Sequence, residues 1–420
     1  MSTVSIVTDH GSEERVEDRR LTTREAAERL GVKPETVYAY VSRGQLSSRR
    51  GPGSRGSTFD AKEVDALVRR GRRESSTGGS ELSVRTRITF IDKDHYYFRG
   101  VDAVELARTY SYEEVAEWLW TGVLRPGIRF TAPPEAAEAA RRAVDALPPH
   151  SGPTDRLRVA AVAASAADPL RFDLSERAVL ATARTLIPTL VTALPLLGTA
   201  HHGDGPLAAR IWPRLTVQPP DETSLQVLDL ALALLIDHDL AASTLAVRVA
   251  ASARAHPYAA VSAGFGVLEG PLHGAASGLA HRMLAEVLQR GSAAPVVADH
   301  LRTGRRVPGL GHRIYPGEDP RAQALFAALE EMEQAAPALA AARDVVATTA
   351  RHTELYANVD LALAVLTVSS GMPAEAGETM FAVARTAGWI AHTLEEYGER
   401  PLRMRPSGQY TGPRPPQPLP

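Results

Sequence analysis

The sequence predicts a mainly α-helical protein, with a small module in front of a large helical body. Three observations carry that expectation. Alanine and leucine abound while aromatic residues make up only 5% of the chain, a composition that favours helices. After Tyr110 the sequence reads as helix upon helix, and Leu225 to Ala255 is one long amphipathic stretch. The run Ser75-Ser-Thr-Gly-Gly-Ser80 reads as a linker between a basic N-terminal stretch and everything after it. At 420 residues the chain is too long for one small core, so two or three domains are expected.

Residues 1–20 read as a disordered tail, and 21–74 as the front module. Thr23 is placed to cap a first helix, whose apolar stripe is Ala26, Ala27 and Leu30. Gly31 suits a left-handed turn, and Pro34 suits the first turn of a second helix. Ala27, Gly31 and Val37 keep the spacing of a helix-turn-helix. Ser47 to Phe59 reads as a Gly-rich hairpin, and Asp60 to Arg73 as a further helix. This order resembles the winged helix-turn-helix modules of the excisionase and mercury-resistance-regulator type. From Arg43 to Arg73 nine basic residues stand against Asp60, Glu63 and Asp65, the surplus that phosphate contacts need. The candidate DNA contacts are Thr36, Tyr38, Tyr40 and Arg43, placed for a major groove, with Arg49, Arg50 and Arg55 beyond them. The plainer alternative is a helical module that docks on protein, with its arginines as solvated surface.

Bulk properties narrow the classes. A net charge of −2 excludes a chain that coats nucleic acid along its whole length. With no cysteine there are no disulfides, thiolate metal sites or Cys nucleophiles, which fits a reducing cytoplasm. Met1 to Arg20 is polar and mixed in charge, unlike a signal peptide. The most apolar run, Thr185 to Ala200, is short and holds Pro188 and Pro195, so it reads as a buried helix and no membrane association is expected.

In the body, Thr86 to Ile91 and His95 to Gly100 read as a β-hairpin turning at Asp92-Lys-Asp94. Ser111 and Glu114 have capping-box spacing at the start of the next helix. Four islands then concentrate reactive side chains. They are Asp237-His238-Asp239 with Ser243; Gly270-Pro-Leu-His273-Gly274; Gly309-Leu-Gly-His312-Arg313-Ile-Tyr315 with Asp319-Pro-Arg321-Ala322; and Asn358-Val-Asp360, followed by Arg385, His392 and Arg405. His273 follows Gly270-Pro271, so a helix start would lower its pKa and keep the imidazole neutral. Asp360 lies among Val359, Leu361, Ala362 and Leu363, where desolvation would raise its pKa and make it a stronger base. Arg321, Arg385 and Arg405 supply enough charge for a dicarboxylate. His201-His202 with Asp204 lacks helical spacing, and no metal is expected. The remaining histidines, His392 among them, show no constellation in the sequence.

All four islands, in this order, resemble the citrate synthase family over about Glu81 to Gly412. The resemblance implies a two-domain helical fold with the site in the cleft between a large subdomain, about 81–272 and 371–412, and a small one, about 273–370. It implies a homodimer that condenses acetyl-CoA with oxaloacetate and requires no cofactor. The residues matching the family's catalytic groups are His273, which holds the thioester carbonyl as the enol forms; Asp360, the base; and His312, which assists addition to the ketone. Those matching its carboxylate ligands are His238, Arg321, Arg385 and Arg405, the last reaching in from the partner subunit. The chain departs from the common pattern at Ala241, Ala275, Ser277, Pro316 and Leu361-Ala-Leu363. The acyl preference, acetyl-CoA or propionyl-CoA, is therefore open, since one methylene is worth only about 1–3 kcal/mol in a pocket. The alternative of another class is a DNA-binding regulator whose synthase-like body senses a ligand.

Overall fold

The structure is a computed structural model. It describes residues 20–30, 32, 34–42, 46–50, 57–65, 67, 84–199, 205–270, 273–274, 276–406 and 410–413. Arg43, Arg55, the Arg50 side chain, the linker 75–80 and the group His201, His202 and Asp204 therefore lie outside the described residues. So do residues 1–19 and 414–420. The chain divides into two compact units, Met1–Arg85 and Thr86–Pro420.

In the first unit, helices Thr23–Leu30 and Pro34–Ser42 accompany a three-stranded antiparallel sheet. Strand Ser57–Asp60 is central, between Arg20–Thr22 and Ser48–Arg50. Leu21, Ala26, Ala27, Val37, Leu46, Phe59 and Val64 form its core. Three expectations shift. Arg20 belongs to a strand rather than to a tail, because it pairs with Asp60 and its guanidinium donates to the Thr58 carbonyl at 3.0 Å. The helix cap is Thr22, not Thr23. The Thr22 N–H and hydroxyl both donate to the Glu25 carboxylate at 2.8 Å, and only Thr22 has a Glu three residues on. Asp60 ends its strand and accepts from the Lys62 N–H at 2.7 Å, so the helix starts after it. Of the candidate DNA contacts, Tyr38 and Arg49 are exposed and Thr36 is half-buried. Tyr40 is half-buried and packs against the core.

In the second unit the expected hairpin gains a third strand. Thr89–Asp92, His95–Phe98 and Val101–Asp102 form a meander. Asp102 ends the sheet and caps helix Ala103–Thr109, accepting from the Val104 N–H at 2.9 Å and the Glu105 N–H at 3.0 Å. The Ser111–Glu114 box forms, with Glu114 accepting from the Ser111 N–H at 2.8 Å. The apolar run from Thr185 is helical up to Ala193 and stops before Pro195. No described helix is long and apolar enough to cross a membrane.

The stretch Leu225 to Ala255 is not one helix. It is Glu222–Leu235 and Ala242–Ser252, broken by a turn in which Asp239 takes a positive φ of 57°. That break lets Asp237 and His238 point into the interior, where both are buried. Ala241 begins the second helix with no side-chain cap.

The long helix Ala376–Tyr397 is buried over most of its length and packs on Glu176–Ala193, Glu222–Leu235, Ala242–Ser252 and Pro257–Leu268. Gly264 permits one of these approaches, since a Cβ there would lie 2.9 Å from the Trp389 ring. Helices Ala276–Arg290, Ala293–Arg302, Pro320–Leu329, Ala336–Ala350 and Val359–Ser369 pack chiefly on one another.

Candidate active site

Backbone geometry brings the Gly-rich loop and Asp360 together. The Gly311 N–H donates to the Tyr356 carbonyl at 2.7 Å, and the Asn358 N–H to the Gly309 carbonyl at 3.0 Å. Asn358 also caps helix Val359–Ser369, accepting from the Asp360 N–H at 3.0 Å, while its amide donates to the Gly311 carbonyl at 2.8 Å. Gly309 takes φ +78°, and a Cβ there would lie 2.8 Å from the Leu361 Cβ. Gly309→Ala is therefore expected to destabilise the protein by about 1–3 kcal/mol. Chemical denaturation measures this, and an unchanged midpoint would contradict the close fit.

Asp319 organises the same region. Its carboxylate accepts from Arg321 Nε at 3.0 Å, from Nη2 at 2.8 Å and from the Val359 N–H at 3.0 Å. The acid thus ties Arg321 to the helix that carries Asp360. Asp319 and Arg321 are both buried. Burial opposes each charge, and the pairing outweighs it, so the acid's pKa falls and the guanidinium's rises. Arg321 is not the open fork its residue type suggests, because one edge is already held. Its Nη1 makes no hydrogen bond among the described residues.

The His312 Nδ1 accepts from the Ile314 N–H at 3.0 Å and the Tyr315 N–H at 3.3 Å, which places the proton on Nε2. Nε2 lies 3.3 Å from Arg321 Nη2. Two donors side by side call for one acceptor, such as an anionic or carbonyl oxygen. Burial and then Arg321 push the His312 pKa down to about 4, so the ring is neutral at pH 7. His238 Nε2 lies 2.7 Å from the Tyr315 hydroxyl, with the His238 and His312 ring centres 5.2 Å apart. Burial, followed by Arg321, Arg385 and His312, holds the His238 pKa well below its usual value.

His273 lies in the turn before helix Ala276–Arg290, not at its start. Its pKa is lowered by burial first and by Arg385 second, rather than by a helix end. The Ser243 N–H, 3.4 Å away, and the Ser243 hydroxyl, 2.8 Å away, both face Nε2, so the proton is on Nδ1. The His273 ring faces the Phe381 ring with centres 6.2 Å apart, and the Arg385 guanidinium lies over the Phe381 ring, 4.4 Å from its centre. Arg385 is buried; its Nε donates to the Leu235 carbonyl at 2.9 Å. Its buried Nη2 has no partner among the described residues. Burial lowers the Arg385 pKa to about 10, which leaves it charged at pH 7, and a carboxylate ligand would satisfy that nitrogen and raise the pKa again. Burial raises the Asp360 carboxyl to about 6, against the opposing pull of Arg321.

The structure thus gathers His238, His273, His312, Arg321, Asp360 and Arg385 around one locus. Arg405 stands apart, exposed and with no side-chain hydrogen bond among the described residues. Sequence reasoning gave no role to Ser243, Tyr315, Asp319, Asn358 or Phe381. All but Phe381 lie within the islands quoted above, and Phe381 lies one helical turn before Arg385. No group of acidic residues and histidines suited to a metal occurs among the described residues.

A neutral imidazole pair, a carboxyl poised near neutrality and two buried arginines define an acid–base site for an anionic carbonyl substrate. Comparison gives the class a family. Residues 80–407 match the model of the citrate synthase C-terminal domain, and 20–72 match that of a helix-turn-helix domain. Among similar proteins, the citrate synthase of Haloferax volcanii is 33% identical over 79% of this chain and 94% of its own length. That of Synechocystis is 29% identical over 79% of this chain and 89% of its own. The crystal structure of citrate synthase from Pyrobaculum aerophilum is similar with a TM-score of 0.69 and 25% identity, covering 89% of this chain and 97% of that one. The Thermotoga maritima structure gives 0.65 and 26%, covering 81% and 96%. The chain belongs to the citrate synthase family. It is an enzyme of the transferase class, joining the acetyl group of acetyl-CoA to oxaloacetate and releasing citrate and CoA.

Proposed function

We propose that the gathered side chains divide that reaction as follows. Asp360 removes a methyl proton from the thioester, and the His273 Nδ1–H donates to the thioester oxygen as the enol forms. The His312 Nε2–H polarises the ketone of oxaloacetate as the enol carbon adds to it. Water then cleaves the thioester and frees CoA. Arg321 Nη1 and Arg385 Nη2 take the carboxylates of oxaloacetate beside His238. The observation that carries this reading is the pair of neutral donors and the raised carboxyl at one locus. The cleft between the two expected subdomains, about 81–272 with 371–412 and about 273–370, is its setting. A structure from Thermoplasma acidophilum, alike in fold at 22% identity, was solved with carboxymethyl coenzyme A and oxaloacetate.

Arg405 completes the dicarboxylate site as Arg405 of the partner subunit in a homodimer. Its exposure away from the other ligands supports this. The test of the whole reading is CoA release from acetyl-CoA plus oxaloacetate, followed with a thiol-reactive dye. The protein has no Cys and adds no thiol background. Repeating it with propionyl-CoA ranks the acyl groups, acetyl-CoA being expected to lead. Release that does not depend on oxaloacetate would overturn the assignment.

A pH profile follows. The base must be ionised, so kcat/KM is expected to rise with pH through a midpoint near 6, where Asp360 loses its proton. His312, down at about 4, stays neutral across that window and adds no second limb. A profile flat from pH 5 to 7 would remove Asp360 from the base role.

A second reading concerns the front unit, which we propose binds DNA. The helix-turn-helix match over 20–72 and the exposed Arg49 on strand Ser48–Arg50 favour it. A gel shift on genomic fragments at moderate salt tests it, since specific binding survives competitor DNA. No shift with the full chain would leave a protein-docking module. DNA binding without CoA release would favour the sensor alternative.

A further inference from the structure

His392, two turns along the same face of helix Ala376–Tyr397 from Arg385, sits in a buried chain of charges. Its Nδ1 lies 2.8 Å from Arg248 Nη1, which can only donate, so the ring proton is on Nε2. Nε2 lies 3.2 Å from Asp237 Oδ1 and donates to it. Asp237, His392 and Arg248 are all fully buried. The other Asp237 oxygen accepts from the Thr89 hydroxyl. Arg248 continues to Glu395 at 2.6 Å and to Glu396 at 3.2 Å. Glu396 in turn receives both arms of Arg403, from Nε at 2.8 Å and from Nη2 at 2.7 Å. That clamp, with the Leu402 N–H donating to the Ser252 carbonyl at 2.8 Å, fixes the segment leading to Arg405.

Asp237 is adjacent to His238 in the chain, and its Oδ1 would lie 2.9 Å from a Cβ at Gly388, one turn along the helix from Arg385, on which it is the strongest opposing charge. A buried carboxylate without hydrogen bonds takes up a proton instead of staying charged. By donating to Asp237, His392 keeps it anionic beneath Arg385, and Arg248 keeps His392 in the donating tautomer. We infer that His392 is a positioning residue that holds Asp237 behind Arg385 and links it, through Arg248, Glu396 and Arg403, to the segment carrying Arg405. It acts on oxaloacetate binding, not on proton removal. The inference rests on the citrate synthase reading, in which both arginines bind carboxylates.

The test compares full-length wild type, His392→Leu, His392→Gln and Arg403→Ala for CoA release, varying oxaloacetate and acetyl-CoA separately. The Leu variant is expected to raise KM for oxaloacetate by about tenfold or more, the scale of one charge-assisted hydrogen bond. Its KM for acetyl-CoA and its kcat should stay within about threefold. The Gln variant, whose amide still donates to Asp237, is expected to recover most of the loss. Arg403→Ala, half-exposed and remote from the buried chain's core, should raise KM for oxaloacetate alone, and it carries the test if the Leu variant does not fold. Unchanged KM for oxaloacetate in an active, folded Leu or Arg403→Ala variant overturns the inference. So does an equal fall in all parameters that Gln does not rescue, which is mere structural damage. A wild type without oxaloacetate-dependent release fails at the prior step, removing the reading and the inference together.

Discussion

Replacing Asp360 by Asn is expected to lower kcat by about 10²–10⁴-fold, the contribution of a positioned general base. The change is isosteric, and the backbone hydrogen bond that places residue 360 on Asn358 does not involve the carboxyl. Oxaloacetate should therefore bind within about threefold of wild type, because its proposed ligands are on other elements. The acid limb near pH 6 should vanish with the carboxyl that causes it. Stability should rise slightly or stay level, since an amide is not penalised by burial as a carboxylate is. Calorimetric titration with oxaloacetate and a CoA-release assay separate binding from chemistry. Turnover within tenfold of wild type would show that another group removes the proton.

The sequence was informative where a residue's role depends on its own neighbours. Asp360 sits in a run of apolar side chains, and burial does raise it. The helical body was legible from composition, and the cap at Ser111 from spacing. What stayed hidden depends on elements distant in the chain. The break at Asp239 is a choice between a continuous amphipathic helix and two buried polar side chains, decided by partners at Thr89, Tyr315 and His392. His392 looked solitary because Asp237 is 155 residues away. His273 was expected to owe its low pKa to a helix start, whereas burial and Arg385, on another helix, are responsible. The Thr22 cap was missed by one residue because Thr22 and Thr23 are adjacent and only the position of Glu25 separates them.

Arg321→Leu is expected to abolish measurable oxaloacetate binding and, separately, to lower stability by about 3–5 kcal/mol, the effect of breaking a buried ion pair. The second loss comes from Asp319, which would remain buried with its charge uncompensated. In the wild type the pairing depresses the Asp319 pKa, so its contribution is present above the carboxylate's unfolded pKa and is lost as pH falls through the folded one. The variant reverses the sign. With Arg321 gone, burial raises the Asp319 pKa above its unfolded value, so the deficit is largest at neutral pH and shrinks as the medium is acidified. Adding Asp319→Asn removes the stranded charge while its carbonyl oxygen can still accept from the Val359 N–H. The double variant should therefore regain much of the stability and none of the oxaloacetate affinity. Denaturation at two pH values and calorimetric titration measure the two effects independently. Should the double variant be no more stable than Arg321→Leu, the stranded-carboxylate account fails. Should Arg321→Leu bind oxaloacetate normally, Arg321 is a scaffold for Asp319 and the helix of Asp360, and the carboxylate site must be drawn around Arg385 instead.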